Sequence, residues 1–415
     1  MLKKALIAVS IFLALLITAG VFIYVKISPG LKEVEARAEK EQKLLQPRLV
    51  KGDGKFERHP FYTSEHLGNI SQIRVGWPAD REGADIAVVG SRGADFIDLA
   101  SQIKKQIQFS TNQRGSVTVA RTSAAGGYGY LTRDESWTAP AMLFDEEGQL
   151  RWRSNSAWGV DDSAPGDVLG DGKLSVVIGF NGSGGIALLD GQGQSVWRKK
   201  EGNVWHVETL DIKGNGREEI LHSNANGRLL VRGAKGELSA QYLPGVYVSW
   251  FAITRWGDES KPTHILVPTT QRREGCCTPV FVVLDAHGKT VAERESPLGD
   301  VLNRTAATPV RFGKHDDYFA ILQNNFARGR SMLLLYGKDG EIVYQEILGE
   351  SCLGLAAVPI KDAERLLVGC EGKIWEYSPV AEAQNVPKDI ALSKPRNRIQ
   401  LVAPDWALAE TNPAP

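Results

Sequence analysis

The 415-residue chain is poor in cysteine, with four, and has no excess of charge: 49 basic residues balance 49 acidic ones. Four cysteines are too few to staple a chain of this length, so the core must come from apolar burial. The 42% hydrophobic residues can supply it. Balanced charge removes the electrostatic case for a nucleic-acid partner. No GxSxG, HExxH, Walker or dinucleotide-binding motif stands in a suitable context. The histidines, at 59, 66, 206, 222, 264, 287 and 315, show no metal-ligand spacing. Gly182-Ser183-Gly184-Gly185 lies between two expected strands, without the helix N-terminus that a phosphate cradle uses. No cofactor is therefore expected, and the balance tips away from an enzyme.

One long apolar run stands apart. Ala5–Val25 carries no charge over 21 residues, and at about 1.5 Å per residue it matches the ~30 Å hydrocarbon core of a bilayer. The run is long for a cleaved signal peptide, and Ile17-Thr18-Ala19 is a poor cleavage site. We expect a signal anchor at 5–25, with a buried core helix as the bland alternative. Lys3 and Lys4 then hold residues 1–4 in the cytoplasm, while Lys26 and Lys32 pull the other way. Residues 26–66 read as stalk and linker. Leu31, Val34, Ala38 and Leu45 approach heptad spacing, but Glu41 spoils a core position. The rest is expected outside the cytoplasm, in the periplasm or extracellular space, as in a single-pass membrane protein.

Glycine is abundant, with 43 residues, and it recurs at turns. Apolar runs begin at Ile86, Tyr130, Val176, Ile220, Ile265, Phe319 and Leu366, at intervals of 44, 46, 44, 45, 54 and 47 residues. Each of the first six is followed by a strand, a four-residue turn and another strand. The turns are 98–101, 145–148, 190–193, 233–236, 285–288 and 337–340, and all but the first end in Gly. Asp suits the first position of a type I turn, and Gly the left-handed residue that returns the chain. Four antiparallel strands in about 44 residues make a propeller blade. Residues 70–378 span 309 positions, room for seven blades at that period.

The fold class is thus all-β, a seven-bladed β-propeller over 67–380 preceded by one transmembrane helix. Blade 7 is short by one strand, and an open ring would keep a raw edge. The tail 381–415 offers Arg398–Val402 as the first candidate to close it. Phe56–Tyr62 is the second.

Asp167–Gly179 and Asp211–Leu221 resemble FG-GAP/VCBS repeats, the blades of integrin-α-like propellers. The D-x-x-G-x-x-x-W segments at 145–152 and 190–197 resemble quinoprotein-like repeats. Both resemblances imply a propeller, and neither names a function. The first implies calcium in the loops. Here Asp211, Asn215 and Glu219 keep three donor positions with Lys213 among them, while Leu169 and Ser175 break the other loop. A polar turn is the plainer reading, and no metal is assigned.

Cys352 and Cys370 flank the last hairpin and are candidates for a disulfide, with two free thiols as the alternative. Trp205 and Trp250 each stand 15 residues before a marker run, which places both near one mouth of the ring, with His206 beside the first. The basic stretches carrying Arg272, Arg273, Arg328 and Arg330 should overhang the same mouth. Trp and Arg are favoured interface anchors, although tryptophans packed between blades and solvated arginines would look the same in sequence. The leading expectation is a membrane-anchored, non-enzymatic binding or scaffolding module with a protein partner at one face. The alternative is a carbohydrate-binding or enzymatic propeller that uses the central channel. Carboxylates and histidines converging on a mouth would favour the alternative. A broad aromatic and basic face would favour the scaffold.

Overall fold

The computed structural model describes residues 56–380, apart from 77–83, 112–114, 124–125, 134–138, 257–261, 272–277, 296–303, 314–316, 326–329, 339 and 361–362, together with 18, 20, 22, 24–26 and 32. Blade 3 shows how a repeat folds. Its strands are Val160–Gly166, Ser175–Phe180, Gly185–Asp190 and Ser195–Lys199, paired antiparallel in sequence order. Ser175–Phe180 is buried throughout because both of its faces meet protein, so its sequence is continuously apolar. The outermost strand is largely exposed and reads polar and apolar by turns.

Seven such four-stranded sheets make the ring. They span 70–108, 116–153, 160–199, 204–242, 252–295 and 304–348, with the seventh at 354–379 completed by Phe56–Thr63. Each marker run lies in the second strand of its blade. The four-residue turns join third to fourth strands, and Gly148, Gly193, Gly236, Gly288 and Gly340 all adopt φ between 73° and 84°. Ser101 takes the same place in blade 1 at φ 60°, a conformation that a residue with Cβ adopts at a cost.

These glycines serve a second purpose. A Cβ on Gly193 would meet the Trp152 ring at 2.8 Å, and one on Gly236 would meet Trp197 at 3.1 Å. The Trp152 indole donates to Gly191 O at 3.1 Å, Trp197 to Ala234 O at 2.7 Å, and the Tyr242 hydroxyl to Ala286 O at 2.7 Å. Each side chain stands on the outer strand of one blade and latches the turn of the next. The repeated Trp is therefore an inter-blade fastener.

The ring closes through Phe56–Thr63, which pairs with Lys373–Pro379. This corrects the first choice for the closing strand, and it moves the start of the propeller into the stretch read as stalk. Phe56 and Tyr62 are the buried ends of the strand, and Phe56 packs against Phe312, Tyr318 and Tyr344 at 5.3–5.6 Å. Pro60, which has no N–H to give, sits at the register shift of an outer strand, where proline is tolerated. Residues 398–402 lie outside the described residues. Cys352 and Cys370 are joined in a disulfide that ties the lead into blade 7 to the end of its second strand. Cys276 and Cys277 lie outside the described residues.

Among the described residues, no helix is long and apolar enough to cross a membrane. The described positions between 18 and 32 are helical, and most of the expected 5–25 span lies outside them.

Candidate functional site

First strands line the channel and are edges, with backbone groups that no further strand pairs. Polar side chains take that role between blades. Ser71 Oγ donates to Val117 O at 2.5 Å, Ser163 Oγ to Thr132 O at 2.5 Å, and Thr254 Oγ1 to Ala307 O at 3.0 Å. Inner strands of this kind explain why the channel wall holds polar residues in a protein otherwise built from apolar burial.

All first strands begin on one face, which we term the mouth face; the connections from second to third strands lie there too. The links from each fourth strand to the next blade lie there as well, and the other face carries the turns from first to second and from third to fourth strands. Phe56 opens an outer strand there and Pro379 ends a third strand there, so the chain enters and leaves the ring on that opposite face.

Near the mouth a charged network spans blades 2 to 4. Asp162 receives Arg133 Nε on Oδ1 and Arg133 Nη2 on Oδ2, both at 2.9 Å. Val207 N donates to Oδ2 at 3.1 Å, and His206 Nδ1 lies 2.5 Å from the same oxygen. Arg133 Nη1 reaches Glu208 Oε1 at 2.9 Å. Burial alone would raise the Asp162 carboxyl, but Arg133 and His206 override it and hold the group well below the usual carboxylate range. Burial would likewise lower Arg133, and Asp162 and Glu208 hold it above its ordinary value. Both Asp162 oxygens are occupied, so the network is an ion cluster that ties the inner strands together, with the buried His206 Nε2 left without a hydrogen-bond partner.

The cluster continues into blades 5 and 6. The His206 ring stacks on Trp250 at 3.8 Å and 20°, and the Arg304 guanidinium lies 5.4 Å from the Trp250 ring centroid. Trp250 is thus held between the His206 imidazole and the Arg304 guanidinium and is half-buried. Asp162, His206 and Trp250 follow one another at intervals of 44 residues, the repeat period itself, and Arg304 follows after 54, the interval of the longer blade. Asp162 and His206 occupy equivalent positions on successive inner strands, Trp250 stands just ahead of Ala252–Thr254, and Arg304 opens Arg304–Arg311.

Three aromatics beside this network face solvent. Trp158 and Tyr247 are each 42% exposed. Trp205 is half-buried and meets Tyr247 edge-on at 6.0 Å. Trp158 rests on Gly182 and Gly184, where a Cβ would meet its atoms at 2.8 and 2.9 Å, and Tyr247 rests on Gly227. The glycine-rich 182–185 segment is thereby a seat for an indole. Asp161 stands beside Asp162; burial pushes its carboxyl up to about 6, Asn203 opposes the rise by hydrogen bonding, and the Asp162 charge adds to it.

The structure brings Trp205, His206 and Trp250 together at this mouth. Arg272, Arg273 and Arg328 lie outside the described residues. Arg330 opens the third strand of blade 6, opposite Asn325, rather than lying in a loop. Sequence reading missed Arg133, Asp161, Asp162, Glu208, Tyr247, Trp158 and Arg304. Stepping one period back from His206 reaches Asp162, a signal that was present.

The calcium candidates are engaged by the chain's own groups. Asp211 accepts from Asn215 N at 3.0 Å and Gly216 N at 2.7 Å, while Glu219 is held by Lys213 Nζ at 2.7 Å and Ile212 N at 3.2 Å. The lysine ammonium occupies the carboxylate that an ion would need. Glu350, Cys352 and Cys370 form a group of metal-type donors, but the two sulfurs are bonded to each other. His222 is buried and accepts from Arg232 Nε at 3.0 Å; burial, then the Arg232 charge, lowers its imidazole to about 3.

No family model matches the chain, and no curated protein matches it. Solved structures do. One is the crystal structure of BBS1N in complex with ARL6DN, soaked with mercury, at TM-score 0.48 and 11% identity, covering 80% of this chain and 97% of that one. Another is the same complex soaked with lead, at TM-score 0.49 and 11% identity, covering 78% and 96%. The likeness is one of fold.

Proposed function

We propose that this protein is a membrane-tethered, extracytoplasmic binding module that captures a protein partner on its mouth face. The observation that carries the reading is the row of aromatics Trp158, Trp205 and Tyr247 beside the ion cluster, with Trp158 and Tyr247 seated on glycines. Rigid aromatics with one polar handle give large contact area at low entropic cost. The apolar 5–25 segment supports the tether. Because the chain enters at Phe56 on the opposite face, a tether leading to that strand would turn the mouth away from the bilayer. Arg330, at the mouth-face end of the third strand of blade 6, extends the reading to an acidic partner surface, and the basic residues Arg272, Arg273 and Arg328 of the sequence support it.

Co-purification of the detergent-solubilised chain after cross-linking tests this. Replacing Trp205 and Tyr247 together by Ala should remove the captured protein while leaving the melting temperature within a few degrees. Undiminished capture would contradict the reading.

A carbohydrate ligand is the second reading, and one observation favours it: the Asp161 carboxyl, pushed up to about 6 beside Asn203 and near the aromatics. Oligosaccharide binding that is lost in Asp161→Asn, with protein capture intact, would select it.

A further inference from the structure

Ser64, His66 and Asp95 make a chain of contacts that neither the blade fasteners nor the mouth cluster uses. Ser64 follows the closing strand directly, and its N–H donates to Gly372 O at 2.8 Å, which fixes the start of the link into blade 1. Its Oγ lies 3.0 Å from His66 Nδ1. His66 Nε2 lies 3.1 Å from Asp95 Oδ1, on an approach too oblique for an aligned hydrogen bond. The Asp95 carboxylate is fully buried where blades 7 and 1 meet, and it also accepts from the Tyr62 hydroxyl at 2.6 Å and from Gln106 Nε2 at 3.2 Å. Burial, then Asp95, holds the Tyr62 hydroxyl above its ordinary value, so it remains a donor to that carboxylate. Solvent reaches the other end of the chain of contacts, where the His66 side chain is 31% exposed.

A serine hydroxyl is a weak nucleophile until a base takes its proton and a third group holds the base in place. A buried carboxylate at Nε2 favours the tautomer that carries its proton there, which leaves Nδ1 to accept the Ser64 proton. Leu67 N faces the same Oγ at 3.4 Å. Arg92 Nη2 donates to Glu65 O at 2.9 Å, which sets a guanidinium on the link between Ser64 and His66. A cation there suits a carbonyl oxygen that gains negative charge.

We propose that Ser64 is the nucleophile and His66 the general base of an acyl-transfer site that cleaves carboxylic esters. Ser64 Oγ bonds to the ester carbonyl carbon while its proton passes to His66 Nδ1. The bond from that carbon to the alcohol oxygen then breaks, and the alcohol leaves with the proton. Water attacks the acyl-serine and gives a proton to His66 Nδ1; the acid is released as that proton returns to Ser64. Asp95 and Tyr62 are positioning residues. The site lies at the junction of blades 7 and 1, apart from Trp158, Trp205 and Tyr247 around blades 3 to 5, so it stands or falls separately from the proposed function.

The test uses the full chain in detergent with a fluorophosphonate probe, whose phosphorus takes the serine oxygen as fluoride leaves. Peptide mapping should place the adduct on Ser64, and Ser64→Ala should lose it. His66→Ala should slow labelling at least about tenfold, and added imidazole should restore it, as it would not for a histidine that only packs. Asp95→Asn, with melting checked, should lower kcat for p-nitrophenyl acetate at least about tenfold and leave KM unchanged. No adduct on the folded chain, an adduct confined to other residues, labelling indifferent to His66→Ala, slowing that imidazole does not reverse, or turnover indifferent to Asp95→Asn would overturn the proposal.

Discussion

Ser101 is a backbone exception that tests the turn chemistry directly. It holds φ 60° where five other blades place Gly. Ser101→Gly should raise stability by about 0.5–1 kcal/mol, the left-handed cost less the added entropy of the unfolded chain. The converse change, Gly193→Ala, meets both a positive φ and the Trp152 ring and should destabilise by more than about 1 kcal/mol; equilibrium urea unfolding measures both. Asp162 is the residue on which the mouth depends. Asp162→Ala strands Arg133 and His206 in the interior and should cost about 3–5 kcal/mol. Its folded pKa lies below the ordinary 3.8, so its stabilisation is present above about pH 4 and is lost as the pH falls below it. Its neighbour Asp161 acts in the opposite sense. With its folded pKa raised to about 6, its ionisation opposes folding as pH rises from 3.8 through that value. Asp161→Asn should therefore raise the melting temperature at pH 7 and leave it unchanged at pH 3. A melting temperature that responds equally at both pH values would count against a buried, destabilised carboxyl at the mouth.

At the scale of the strand, the account rests on fasteners between blades. Trp197→Phe keeps the ring and loses the bond to Ala234 O, and should cost about 1 kcal/mol in urea unfolding. Deleting residues 56–63 exposes the Lys373–Pro379 edge and removes the buried Phe56 and Tyr62, each contributing about 1.5–3 kcal/mol. Deleting 396–403 should leave thermal melting unchanged, since the closing place is already filled. Most of this level was legible in sequence. Continuous apolar runs such as Val176–Gly179 marked the second strands, and Asp and Gly at fixed spacing marked the turns. The identity of the closing strand was not legible. Arg398–Val402 and Phe56–Tyr62 carry similar local patterns, and the choice between them is made by tertiary contacts, with Phe56 meeting Phe312, Tyr318 and Tyr344 of the neighbouring blade 6, far away in sequence.

At the scale of the molecule, the ring gathers residues that no local pattern joins. Asp162, His206, Trp250 and Arg304 are spread over four blades and become neighbours because each stands at or just ahead of the start of its blade's first strand. The mouth was legible only as Trp205, His206 and Trp250; their partners sit in segments whose sequence shows charge but not its target. Topology adds the orientation. The chain enters and leaves on one face and displays Trp158, Trp205 and Tyr247 on the other, the arrangement that the proposed tethered binding module requires. Site-specific photo-cross-linking in intact cells tests that claim most directly, with benzoylphenylalanine placed at Tyr247 in one variant and at Gly214, in a turn of the opposite face, in another. The account predicts a discrete protein adduct from Tyr247 and none from Gly214; an adduct from Gly214 alone would contradict it.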